Sequence, residues 1–147
     1  MGRRQSGLTL IEALVLLALI GILVAVASLA LRPLQSPVDT ATALLEGFLR
    51  QARLNAIAST SACRVSPGAS NRLVAATASS CSATTWSAVS SMNLTLPTGV
   101  SMSPSSWVVC FSSRGVSGNN VIVTLQHPSN GSRKVEVLVG GTTRVLP

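Results

Sequence analysis

The sequence predicts an α+β fold: a long N-terminal helix, membrane-spanning in its first half, packed on an antiparallel β-sheet domain. Three observations predict it. Residues 8–31 are almost wholly apolar, with Glu12 their single acidic side chain before Arg32. Residues 38–58 repeat apolar positions at helical spacing. Beyond Ser59 that period gives way to short β-branched and alternating runs separated by Gly, Pro, Asn and Ser turns.

The first element follows a short leader, residues 1–7, that carries Arg3 and Arg4. A helix over 8–31 is about 36 Å long, enough to cross a bilayer core of about 30 Å with some tilt. Its apolar residues surround the whole circumference, so lipid or protein must cover every side. A secretory signal would explain the small residues of Ala25-Val26-Ala27 and Ser28-Leu29-Ala30. The apolar run is too long for one, and it contains a carboxylate near its start. A plain anchor explains the length but gains nothing from Glu12, whose charge is costly in lipid. Cleavage after Gly7 would supply the missing cation, the new α-amino group of Leu8. Between packed helices, that amine of one subunit meets Glu12 of its neighbour, and a buried pair of this kind fixes axial register. The arginines before the helix place the leader in the cytoplasm and the remainder outside it.

Arg32-Pro33-Leu34-Gln35-Ser36-Pro37 interrupts the pattern, by a kink or by a stop and restart. An amphipathic helix then completes the segment 32–58. Val38, Ala41, Leu45, Phe48 and Ala52 form its core stripe, Leu44 and Leu49 widen it, and Glu46 and Arg50 make an i,i+4 pair. The β-rich domain occupies 59–147. Strands are expected at 62–65 and 72–78 around a Ser66-Pro67-Gly68 turn, and at 92–96, 107–111, 121–126, 134–139 and 143–146. Residues 79–91, with Cys81 and Trp86, read as a loop or weak strand.

The formal charge is +7; without Arg3 and Arg4 it is +5. After residue 60 only Glu136 opposes Arg64, Arg72, Arg114, Arg133, Lys134 and Arg144. Such a balance favours anionic partners, although a basic domain with no such partner has the same composition. Cys63, Cys81 and Cys110 form no CxxC pair and have only His127 beside them, so no metal and no cofactor is expected. Outside the cytoplasm a disulfide persists. Cys63–Cys81 is the preferred pair, with Cys110 left as a buried thiol inside Trp107-Val108-Val109-Cys110-Phe111. No Ser-His-Asp arrangement, GxGxxG or Walker loop is present, so the chain does not read as an enzyme.

Gly7 followed by Leu8-Thr9-Leu10-Ile11-Glu12 resembles the processing site of type IV prepilins and of the pseudopilins of type II secretion. The resemblance implies a prepilin peptidase that cuts between Gly7 and Leu8 and methylates the Leu8 amine, and a role for Glu12 in docking subunits. It also implies a bacterial inner-membrane precursor that joins other pilin or pseudopilin subunits in a periplasmic or extracellular filament. Leu8 replaces the usual phenylalanine. Leu29 stands where many members have proline, which shifts helix softening toward Pro33 and Pro37. Ala52–Ile57, Cys81 with Trp86, Phe111-Ser112-Ser113-Arg114-Gly115 and the closing Gly141–Arg144 turn resemble the GspH/FimT (FimU) group of pseudopilins and minor pilins. The function this implies is a structural minor subunit. Some FimT-like members bind DNA for uptake through a GRxR segment, which here reads Gly141-Thr142-Thr143-Arg144. The alternative is therefore a DNA-binding minor pilin contacting DNA through Arg144, with Arg133 and Lys134 nearby; against it, Arg144 reads more simply as a charge that protects a sheet edge.

Overall fold

A computed structural model describes residues 10–30 and 36–146, and the side chains of 10–26 and 36–146. The chain divides into two compact units, Met1–Gln35 and Ser36–Pro147. The first contains α1, Leu10–Ala30. Pro33 and the expected break around it lie outside the described residues.

The second unit begins with α2, Pro37–Ala58. Pro37 opens the first turn, where its missing N–H removes no helical bond. Asp39 also lies in that turn, where the helix dipole favours a carboxylate. The helix ends as Thr60 enters a left-handed conformation, φ 51°, and the Ser61 N–H donates back to the Ala56 carbonyl at 3.2 Å. Eight strands follow: β1 Ala62–Pro67, β2 Arg72–Ala78, β3 Ser87–Thr95, β4 Ser101–Ser103, β5 Val109–Phe111, β6 Val121–His127, β7 Gly131–Val137 and β8 Thr143–Leu146. They form two antiparallel four-stranded sheets, ordered β3-β2-β1-β5 and β4-β6-β7-β8.

α2 packs against strands of both sheets. Val38, Ala41, Leu45, Phe48, Leu49, Ala52 and Ala56 are buried and meet Val65, Leu73, Val109 and Phe111 of one sheet and Val123, Leu125, Val135 and Val137 of the other. The expected stripe is therefore the core face. Leu44 departs from it, being 40% exposed; at 100° per residue it sits one step off a stripe that the two sheets already fill. The Glu46–Arg50 pair forms at 3.0 Å.

Two further expectations are corrected. The strands form two sheets, since β5 pairs with β1 and not with β6, and β4, too short to signal itself in the sequence, adds an edge to the second by pairing with β6. The disulfide is Cys81–Cys110, with Cα atoms 5.9 Å apart, and Cys63 is the free cysteine. The reason is strand alternation. On β1, Cys63 is fully buried and points into the core with Val65, while Arg64 points outward. On β5, Val109 and Phe111 are buried and Cys110 points outward beside Arg64. The β2–β3 loop carries Cys81 onto this outer face, where only Cys110 can meet it.

Closing a loop with a sequence separation of 29 contributes about 3–4 kcal/mol in the chain-entropy treatment. Reduction of the full chain should lower its melting temperature, and Cys81→Ser should reproduce the loss while Cys63→Ser leaves the bridge intact by mass. Burial pushes the Cys63 thiol above its ordinary pKa of 9.0. Below that value the thiol is neutral in both the folded and the unfolded chain. Above it the unfolded thiol ionises first, so this contribution to stability is lost as pH rises. Denaturant midpoints measured from pH 8 to 10 should show a decline that is shallower in Cys63→Ala.

Candidate assembly site

α1 has no polar face. Every Leu, Ile and Val from Leu10 to Val26 is at least half exposed, from 50% at Leu16 to 79% at Leu10. Covering them would contribute on the order of 10 kcal/mol. A helix with this surface requires lipid or neighbouring helices. Glu12 is exposed in the first turn of α1, the end at which the helix dipole favours a negative charge. Gly7 and Leu8 lie outside the described residues. Among the described residues no helix is long and apolar enough to cross a membrane. The 21 residues of α1 correspond to about 31 Å of helix, but side chains are described only as far as Val26.

In the second unit the three cations singled out for DNA contact have separate fates. Arg144 lies on the edge strand β8, and its Nε donates to Glu136 Oε2 at 2.6 Å. Glu136 is buried, so this pair neutralises a carboxylate withdrawn from water. Arg133 Nε donates to Asp39 Oδ1 at 3.1 Å, joining β7 to the first turn of α2. Lys134 is exposed on β7, opposite Thr124 and Leu146. Sequence reasoning missed both ion pairs because each joins residues far apart in the chain or across a sheet.

His127 ends β6. Its Nδ1 accepts from the Ser129 N–H at 3.2 Å, and its ring lies over Gly99, so it acts as a turn residue. Among the described residues no group of His, Cys, Asp and Glu could hold a metal ion.

Two glycine-containing loops meet at the C-terminal half of α2. Gly115, at φ 71°, sits so close to Ile57 that a Cβ would lie 2.7 Å from its Cδ1. Gly141, at φ 80°, faces the Gly115 carbonyl oxygen, and a Cβ there would strike it. The Phe111–Gly115 and Gly141–Arg144 segments are thus two sides of one contact that admits no side chain.

Residues 2–28 match the model of the prokaryotic N-terminal methylation motif. That match encloses Gly7, Leu8 and Glu12. Among solved structures, the type IV minor pilin FimU of Pseudomonas aeruginosa is similar over 75% of this chain and 88% of its own, at 13% identity and TM-score 0.58. The minor pseudopilin EpsH of the type 2 secretion system of Vibrio cholerae is similar over 74% of this chain and 95% of its own, at 16% identity and TM-score 0.58.

The fold is pilin-like.

No curated protein matches the chain in sequence. The chain combines the N-terminal methylation motif at its start with a fold like that of these minor pilin and minor pseudopilin structures. That motif implies processing by a peptidase and assembly with other pilin subunits.

Gly141→Ala should destabilise the pilin-like chain by about 2 kcal/mol or more, through a backbone clash and a disfavoured positive φ. Chemical denaturation of the detergent-solubilised chain measures it. Gly47→Ala, in open space on α2, should stabilise by up to about 1 kcal/mol.

Proposed function

We propose that this chain is a structural minor pilin or pseudopilin subunit of a type IV pilus or type II secretion filament, cut after Gly7 and assembled through its N-terminal helix. The observation that carries the reading is the conjunction at the N-terminus. A methylation-motif match over 2–28 coincides with a helix that leaves every Leu, Ile and Val of 10–26 exposed. The precursor rests in the bacterial inner membrane by a single pass over 8–31, with the β-rich domain outside the cytoplasm. Leu8 becomes the methylated N-terminus. Glu12 receives the Leu8 amine of an adjacent subunit and sets the axial step between them. Lipid covers the helix before assembly, and other subunits cover it afterwards.

The work of such a subunit is polymerisation and display, which needs no catalytic group. The DNA-uptake alternative is the weaker reading, since Arg144 and Arg133 are already committed to Glu136 and Asp39.

The intact mass of the mature protein from cells with the peptidase should lack Met1–Gly7, and a retained leader counts against processing. Glu12→Ala should be cut normally yet be absent from sheared filaments, by immunoblot. Normal incorporation of that variant would remove Glu12 from the assembly step. Affinity for duplex DNA should be weak and unchanged by Arg144→Ala.

A further inference from the structure

The second unit has used all its acids. From Gly47 to Val135 the sequence contains no Asp or Glu. Within Ser36–Pro147 the carboxylates are Asp39, Glu46 and Glu136, and each is paired with an arginine. Arg53, Arg64, Arg72, Arg114 and Lys134 have no carboxylate partner among the described residues.

Two of these cations share the outward face of the first sheet, and both are held in place. Arg64 lies on β1, opposite Ala76 of β2 and Cys110 of β5. Its guanidinium stacks on the Trp86 ring, 4.4 Å from the centroid. Trp86 is itself tied down, since its Nε1–H donates to the Ala83 carbonyl at 2.9 Å and the Cys81–Cys110 bridge holds its loop to β5. Arg72 opens β2 with its side chain on the same face, because Leu73 and Ala75 point inward; it donates to Asn93 Oδ1 at 3.2 Å. The same face exposes Val74 at 39% and Val108 at 50%. A stacked guanidinium keeps its charge and edge donors available while losing little freedom on binding.

We propose that the outward face of the β3-β2-β1-β5 sheet docks an acidic segment of a different protein. Carboxylates of that segment meet Arg64 and Arg72, and apolar side chains rest on Val74 and Val108. A second copy of this domain does not fit, because its carboxylates are already paired. Nucleic acid fits less well. A phosphate backbone engages many cations at once, and this face offers two, interspersed with valines. The docking face lies within the second unit and does not depend on whether the chain polymerises.

The test uses the full chain in neutral detergent micelles and a fluorescent peptide of alternating Glu and Val, with a fluorescent single-stranded oligothymidylate of equal charge as a second probe. The double variant Arg64→Gln with Arg72→Gln should raise the peptide Kd about fivefold to tenfold, the effect of two exposed charge contacts. Arg114→Gln with Lys134→Gln removes the same charge elsewhere and should change it less than about twofold. Arg72→Gln alone, at an exposed position that leaves the Trp86 stack intact, should produce part of the loss at an unchanged melting temperature. The proposal is overturned if the first double variant binds like the parent or if the two double variants weaken binding equally. It is equally overturned if the oligonucleotide binds more tightly than the peptide and loses affinity through the same two arginines.

Discussion

A helix that is apolar on every side cannot rest in water, and the first unit of this chain is such a helix. The surface from Leu10 to Val26 has no polar stripe to turn toward solvent. Any stable state of the molecule therefore places this segment in lipid or among other helices. The carboxylate of Glu12 takes its meaning from that setting. In water its charge costs little, whereas in an apolar layer it is costly unless a cation lies beside it.

The second unit solves a different problem. It builds a core with few aromatic side chains, and it does so with small residues that let backbones approach. Ala41, Ala52 and Ala56 on α2 and Ala75 on β2 are buried, and two loops close onto α2 through Gly115 and Gly141. Bulk comes from Leu45, Leu49, Phe111 and the inward valines of both sheets. The ion pairs Arg144–Glu136 and Arg133–Asp39 then fasten the outer strand of the second sheet and the start of α2. The surplus of arginine over acid falls elsewhere, on faces where no carboxylate among the described residues meets it.

What the sequence made legible follows from local physics. The period of α2 is a local property, and its stripe emerged with one exception, Leu44, whose exposure depends on how far the sheets reach around the helix. The strands expected at 72–78, 121–126 and 143–146 announced themselves by short runs between turns, and the second extends one residue further, to His127. β4 has three residues and no such signature; its existence depends on a partner that comes later in the chain. The cysteine pairing was hidden for a related reason. Alternation on β1 points Cys63 inward and alternation on β5 points Cys110 outward, but this decides the pairing only once β1 and β5 are known to be neighbours. The loops at Gly115 and Gly141 stood out through family resemblance alone, since their contact joins distant parts of the chain. The prepilin-like start was the most readable feature of all, because its information lies in consecutive residues.

The Cys81–Cys110 bridge has a mechanical meaning. β5 pairs with the rest of its sheet through the short register Cys63–Phe111, Arg64–Cys110 and Val65–Val109. A strand so lightly hydrogen-bonded would be the first to peel away when the molecule is pulled. The bridge runs from β5 past β1 to the loop leaving β2, so a load on the edge is borne by a covalent strap laid across the width of the sheet. Under such a load, failure would have to begin somewhere other than this margin.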